Sequence, residues 1–210
     1  TDENQTGEID KTGWPEELVI VLLPGEDAPE VLELRNSFDK DMGEFLGIKV
    51  SEYHATDYNA AIEAMRTGHA QVARLGPFSY VHAVDRAGAE CFAVTAKDNV
   101  SVYQSLLVTR VDSGINSIAD LKGKTFSFVD PESTSGNVVP SNEILNAIGD
   151  PELTFDDLHI NGEFFSSVAF AGSHPNSLQG VFKGDVDAGA VSSGTYSREI
   201  LKGNVDESQL

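Results

Sequence analysis

The stretch TFSFVDPESTSGNVVPSNEILNAIG, residues 125–149, contains the transition from a strand to a helix. Residues 125–129 form an apolar run typical of a strand, and residues 138–148 have the apolar spacing of a helix that Gly149 ends. The residues between them that offer hydroxyl and backbone N–H groups are Ser133, Thr134, Ser135 and Gly136. Because a helix begins with unpaired N–H groups and a partial positive charge, this segment predicts either an ordinary helix cap or a cradle for an anion.

Strands and helices alternate along the rest of the chain. Such alternation predicts right-handed βαβ units and therefore an α/β fold with mainly parallel sheets flanked by helices. The pattern restarts after residues 97–110, which predicts two lobes: lobe 1 over residues 17–104 and lobe 2 over residues 105–194. Residues 1–16 are polar and acidic, and we expect them to form a flexible leader.

The charge of the chain excludes several classes of partner. Its 34 acidic and 14 basic residues give a net charge of −20, which repels nucleic acid and anionic lipid. No apolar run is long enough to span a bilayer. The single cysteine, Cys91, lies in the apolar run CFAVTA and is predicted to be a small buried side chain.

Ligands of open α/β sheets bind at loops that follow the carboxyl ends of the strands. His174 lies at such a point, where it is either a surface histidine or a donor aimed into the same crevice as the small residues above. Tyr58 and Tyr103 are either packing residues or phenols that reach a bound oxyanion. Pro77 and Ser79, in the loop after another strand, are secondary candidates.

The sequence lacks the usual signatures of catalysis. The five histidines are scattered without cysteine or carboxylate partners at metal-ligand spacing, so no metal or cofactor is predicted. No Gly-x-Ser-x-Gly elbow occurs, and no nucleophile stands out beside a base. We therefore expect a protein that is not an enzyme.

Three segments together resemble the phosphate, phosphite and phosphonate-binding proteins of ABC transporters, over roughly residues 17–200. They are TDYNAAIEAMRTGHAQVARLGPFSYVHA, SGINSIADLKGKTFSFVDPESTSGNVVPS and FAGSHPNSLQGVFKGDVDAGAV. The resemblance implies a two-lobe fold of the type II periplasmic-binding-protein class. It also implies an extracytoplasmic, monomeric protein, either periplasmic or held at the cell surface as a membrane-anchored lipoprotein, that delivers its ligand to a permease by hinge closure.

The resemblance further implies a set of ligand-binding residues in the cleft between the lobes. Tyr58 and Tyr103 match aromatic residues that contact the oxyanion, and His174 matches a histidine of the cleft. The cluster that surrounds the phosphorus-bound oxygens is Ser133, Thr134, Ser135 and Gly136.

The sequence also departs from the family pattern. Pro175 and Asn176 follow the histidine where many relatives have an acid, and the acids that read a ligand's amino group have no secure counterpart. Residues 195–210 are expected to begin a segment that returns to lobe 1, with the remainder missing. The sequence leaves open which phosphorus oxyanion is bound. It also leaves open two other readings: an enzyme of the same fold acting on a phosphorylated or pyrimidine-like substrate, or a ligand-sensing domain of a receptor.

Overall fold

The computed structural model describes residues 10–25, 32–96 and 100–210. Within these residues, strands form two separate sheets. The first is wholly parallel, with strand order β2-β1-β3. Its strands and the helices that follow them are β1 (Glu17–Leu22), α1 (Leu32–Leu46), β2 (Lys49–His54), α2 (Tyr58–Arg66), β3 (Val72–Ala73) and α3 (Pro77–Ala87).

The second sheet has four strands in the order β4-β7-β5-β6. Strand β4 pairs antiparallel with β7, whereas β5, β6 and β7 run parallel to one another. The elements of this half are β4 (Ser105–Thr109), β5 (Thr125–Phe128), α4 (Val139–Ile148), β6 (Ser167–Phe170), α5 (His174–Lys183), β7 (Ala188–Ser192) and α6 (Ser193–Leu201). The predicted α/β fold with mainly parallel sheets and flanking helices is confirmed.

Local sequence signals set the ends of several helices. Asp57 caps α2, where its Oδ1 accepts a hydrogen bond of 2.7 Å from the N–H of Ala60. Gly88 ends α3 with φ of 65°, a left-handed conformation that glycine adopts at little cost. Both ends follow from local sequence signals, since Thr56 and Asp57 are capping residue types and Gly88 is a typical helix stop.

Each sheet packs against its helices through an apolar core. On one face of the second sheet, the rings of Phe126 and Phe165 stack with their centroids 4.6 Å apart. On its other face, Leu178 and Val181 of α5 pack with Val191. These side chains are almost completely excluded from solvent, so they supply much of the hydrophobic stabilisation of this half.

One residue links the two cores. Val129 follows β5 of the second sheet, yet it belongs to the same buried cluster as Val21, Leu23 and Tyr58 around the first sheet. Since Val129 has no exposed surface, the two halves meet through apolar packing as well as through polar contacts.

The prediction that Cys91 is buried is wrong. Cys91 is exposed, and the apolar side chains after it are exposed too, with 82% of Phe92 and 73% of Val94 accessible. The apolar run indicated burial, but residues 89–96 adopt neither helix nor strand, and no other described element covers them.

The two ends of the chain differ in their exposure to solvent. Residues 10–16 are exposed, while the rest of the predicted leader, residues 1–9, lies outside the described residues. Near the other end, Val205 and Leu210 pack on the second sheet with Val108 and its neighbours. The return of residues 195–210 to the first half stays a prediction.

None of the helices in the described ranges is long and apolar enough to cross a membrane.

We predict that Phe165→Ala lowers the free energy of unfolding by about 3–5 kcal/mol, because it opens a cavity beside Phe126 in a fully buried cluster. Urea denaturation followed by circular dichroism measures this change. Phe92→Ala removes the same ring from an exposed position and should change stability by less than about 0.5 kcal/mol. Equal effects of the two substitutions would contradict this description of the core.

Candidate ligand-binding site

The carboxyl ends of the parallel strands in the two sheets face each other. A Cβ placed on Gly25, after β1, would lie 3.0 Å from the Cβ of Ser173 and the Cδ of Pro175, after β6. A Cβ on Gly76, after β3, would lie 2.8 Å from Oγ1 of Thr134, after β5. Both glycines therefore let the backbone of the first half approach the second half closely. Loops that follow strands of the two sheets therefore lie against each other.

The turn after β5 folds back on the end of its own strand. The N–H of Val129 donates to the carbonyl of Gly136 at 2.9 Å, and the N–H of Ser133 donates to the carbonyl of Asp130 at 2.9 Å. A Cβ on Gly136 would collide with the side chain of Val129, so only glycine fits there. Residues Thr134–Val138 form a single π-helical turn that leads directly into α4. The predicted helix start is confirmed, although its first turn is wider than an α-helix.

Two hydroxyl groups of this turn accept hydrogen bonds and keep their own protons. Ser133 Oγ accepts a hydrogen bond from the N–H of Gly136 at 3.0 Å, and Thr134 Oγ1 accepts one from the N–H of Phe78 at 2.9 Å. Because a hydroxyl that accepts from an amide keeps its own proton, both O–H groups remain able to donate. Among the residues that the structure describes, the Ser135 hydroxyl has no hydrogen-bond partner. The N–H groups of Thr134 and Ser135, the first two of the turn, add donors that lack acceptors within their own helix.

His174 lies at the start of α5, next to this turn across the paired strands β5 and β6. Its Nδ1 accepts a hydrogen bond of 3.1 Å from the N–H of Ser192. Burial, with a smaller contribution from Arg198, lowers the pKa of His174 to about 4. The imidazole is therefore neutral near pH 7, and because Nδ1 is an acceptor, the proton resides on Nε2. His174 offers one neutral N–H donor.

The remaining sequence candidates have different surroundings. The hydroxyl of Tyr103 reaches the same glycine as Thr134, at 3.4 Å from the position of a Cβ on Gly76, so the two hydroxyls lie close together. Tyr58 lies in the first core with 6% of its surface exposed, and its N–H donates to Asp130 Oδ2 at 3.3 Å. Their contact with a ligand stays a prediction.

The two secondary candidates, Pro77 and Ser79, differ in exposure and in hydrogen bonding. Pro77 is exposed at the first position of α3. Ser79 is fully buried, and its O–H donates to the carbonyl of Glu132 at 2.7 Å. The proton of Ser79 is therefore used within the protein, and this residue joins the two halves.

His159 and Asn137 hold the turn after β5 in place, and sequence analysis identified neither of them. The His159 ring lies between the rings of Phe128, Phe155 and Phe170, and its Nε2 is 2.6 Å from Oδ1 of Asn137. Asn137 in turn donates from Nδ2 to the carbonyl of Pro131 at 2.9 Å. His159 is 22 residues away from Asn137, so spacing along the chain gave no signal of this support.

Asp130 was also missed. Its two carboxylate oxygens accept hydrogen bonds from the N–H groups of Glu132, at 2.8 Å, and of Tyr58 in the other half. Burial raises the pKa of Asp130, and the nearby Asp57 and Glu132 act in the same direction. This carboxylate ties the turn to the start of α2. Its position directly after an apolar strand was the one available sequence signal.

We predict that His174 makes the protein less stable as the pH falls from 6.5 towards 4. Its pKa drops from 6.5 in the unfolded chain to about 4 in the folded one, so the unfolded chain binds the proton more tightly. The stabilisation is complete above pH 6.5 and is lost as the pH falls through this window, by up to about 1.4 kcal/mol per pH unit.

Urea unfolding between about pH 7 and pH 4.5 measures this dependence. His174→Gln lacks the titrating group and should lose less stability over the same interval than the natural protein. Carboxylates titrate in both proteins, so their contribution cancels in the comparison. Parallel pH profiles for the two proteins would contradict the assignment of a neutral, buried imidazole.

Comparison with known proteins gives a consistent result. A family model described as "ABC transporter, phosphonate, periplasmic substrate-binding protein" matches residues 20–210. The phosphate-import protein PhnD of Mycolicibacterium smegmatis is 30% identical over 203 residues, which cover 94% of this chain and 62% of the relative. The phosphonates-binding periplasmic protein of Escherichia coli is 36% identical over 146 residues, 67% of this chain and 40% of the relative.

Solved structures agree with the sequence relatives. A binding protein component of an ABC phosphonate transporter from Pseudomonas aeruginosa superimposes with a TM-score of 0.74 at 27% identity, over 89% of this chain and 60% of that one. The likeness confirms the predicted type II periplasmic-binding-protein fold. The chain spans 62% of the mycobacterial relative and 60% of the pseudomonal structure. The chain belongs to the family of periplasmic substrate-binding proteins of ABC phosphonate transporters.

Proposed function

We propose that this protein binds a phosphorus oxyanion, such as phosphonate, phosphite or phosphate, in the cleft between its two halves. The observation that carries the proposal is the donor set after β5 and β6. Two hydroxyl groups there accept from backbone amides and keep their protons, the Ser135 hydroxyl has no partner among the described residues, and His174 adds a neutral N–H. Such convergent donors suit the oxygens of a tetrahedral anion.

Short hydrogen bonds, rather than long-range attraction by positive charge, would hold an anion in the cleft. The protein carries a net charge of −20, and the described donors near the turn are hydroxyl, amide and neutral imidazole groups. An anion is therefore held by short hydrogen bonds and by the positive end of a helix, both of which require correct geometry. We infer that the site selects its ligand by the arrangement of the donors.

We propose a hinge at the start of β4, where the chain enters the second half, and at the end of β7, which lies beside it. Strands β4 and β7 pair side by side, with Ser105 opposite Ser192. Just beyond them, the N–H of Ser193 donates to the carbonyl of Gln104 at 2.9 Å, and the N–H of Gln104 donates to Ser193 Oγ at 3.0 Å. Rotation about such a pair would open the cleft, and a ligand that contacts both halves would favour the closed form.

The contacts of the histidines favour binding over catalysis. A base that activates a hydroxyl must contact it, but Nδ1 of His174 accepts from the backbone of Ser192, and His159 contacts Asn137. The hydroxyls of Ser133 and Thr134 contact backbone amides. These contacts support a protein that captures its ligand unchanged.

Family membership supports the remaining parts of the proposal. The protein would act outside the cytoplasm as a monomer, held at the membrane as a lipoprotein or free, and would deliver its ligand to an ABC permease. The relatives are named for phosphate import and for phosphonate binding, so their names differ in the ligand. The ligand of this chain therefore has to be measured.

We predict that at least one of phosphate, phosphite, methylphosphonate and 2-aminoethylphosphonate stabilises the protein. A ligand present at about 100 times its dissociation constant adds roughly 2.7 kcal/mol to the free energy of unfolding. Thermal unfolding of the full-length protein detects this change, and isothermal titration calorimetry gives the affinity. Sulfate at equal ionic strength controls for general anion effects. If none of the four exceeds sulfate, the proposed function is wrong.

We also predict that Ser135→Ala weakens anion binding at least about tenfold while stability in the absence of ligand is kept. A hydrogen bond to a charged group contributes about 1.5–3 kcal/mol, and the described contacts use this hydroxyl for no other purpose. Titration calorimetry with the best ligand of the panel measures the loss. Ser166→Ala, at an exposed position before β6, is the matched control. Unchanged affinity for the Ser135 variant would place the anion elsewhere.

A further inference from the structure

Glu132 directly precedes residues 133–138, here called the anion turn, and its side chain extends toward the other half of the molecule. Its side chain is only 13% exposed. One carboxylate oxygen, Oε2, is in direct contact with Nδ1 of His82, and the other, Oε1, lies 3.7 Å from a terminal nitrogen of Arg86. Both basic side chains belong to α3, which follows the first sheet.

Other contacts of the same segment cross the cleft at the same place. The O–H of Ser79 donates to the carbonyl of Glu132 at 2.7 Å, and the N–H of Phe78 donates to Oγ1 of Thr134 at 2.9 Å. The main chain of the turn is therefore fastened to the first turn of α3, and the Glu132 side chain extends the contact to the next turn.

The partners of Glu132 are themselves held in place. The ring of His82 packs against the ring of Phe78 with the centroids 4.5 Å apart, and Arg86 donates to Oδ1 of Asn59 at 2.7 Å. His82 Nδ1 and Glu132 Oε2 are enclosed, and each finds its described partner in the other. Because these atoms are removed from water, separating them costs more than separating a pair on the surface.

The negative charge of Glu132 is a second reason why its partners matter. A carboxylate directly before Ser133 lies beside the site proposed for an anion, and an unpaired charge there would repel the ligand. The guanidinium of Arg86 offsets this charge only when the two halves are close together, since Arg86 and Glu132 lie on opposite halves. Opening the cleft separates them.

We propose that Glu132 is a positioning residue, which clamps the anion turn onto His82 and Arg86 of α3 and so favours the closed cleft without touching the ligand. The apparent affinity for an anion is proportional to the fraction of molecules in the binding-competent form. By raising the fraction with a closed cleft, the clamp raises this affinity. This effect on affinity rests on the proposed function, whereas the contact between the halves does not.

The test compares Glu132→Gln with the natural full-length protein. Glutamine keeps the shape of the side chain and removes its charge, so we expect the dissociation constant of the best anion in the panel to rise about threefold to tenfold. Without ligand, hydrogen exchange measured by NMR should become faster at the amides of Phe78 and Tyr58, which both donate across the cleft. The amide of Val129, which bonds within the turn, should keep its rate.

Two further variants sharpen the test. Glu143→Gln makes the same change of charge at an exposed position on α4 and should leave affinity and exchange unchanged. His82→Gln removes one of the two contacts of Glu132 and should raise the dissociation constant in the same direction. The double variant should lose less affinity than the sum of the two single losses, because both changes affect the contact between Glu132 and His82. Independent, additive losses would overturn the clamp.

The outcomes separate this proposal from the proposed function. If the natural protein binds none of the four anions, the function fails, and the exchange rates alone decide whether Glu132 joins the halves. If an anion binds but Glu132→Gln binds it equally well or better, the clamp is wrong while the function stands. Unchanged exchange at both Phe78 and Tyr58 would overturn the clamp as well.

Discussion

The close approach of Gly136 to Val129 is the constraint on which the rest of the site depends. No Cβ fits at Gly136, and this allows the turn after β5 to fold back until its carbonyl accepts the N–H of Val129. Val129 is in turn buried in the core of the first half. One contact thus shapes the donor turn and anchors it to the opposite side of the cleft, which couples the local conformation to the relative position of the halves.

The polar groups of the turn are divided between two tasks. Ser133 and Thr134 use their acceptor capacity on backbone amides, which orders them and leaves their protons for a ligand. Asp130 and Glu132 are acidic, but Asp130 accepts from the N–H of Tyr58 at the start of α2, and Glu132 contacts His82 and Arg86 of α3. An acidic segment can therefore present donors to an anion, since its carboxylates are turned toward the first half of the protein.

Much of the fold followed from patterns with a short range along the chain. The strand and turn at residues 125–136, the cap at Asp57 and the stop at Gly88 depend on neighbouring residues, and the structure agrees with each. The prediction for Cys91 failed for the opposite reason. Burial depends on which elements pack against a residue. The apolar run around Cys91 carries no information about the elements that would have to cover it.

The sequence by itself determined the α/β order of elements, the small hydroxyl residues after β5 and the position of His174 at the start of a helix. These follow from side-chain chemistry and local backbone preference. Only the tertiary structure decided that burial leaves His174 neutral, that the Ser192 amide puts its proton on Nε2, and that Glu132 faces α3. The last two depend on groups 18 to 50 residues away along the chain, which are brought within hydrogen-bonding distance by the packing of strands and helices.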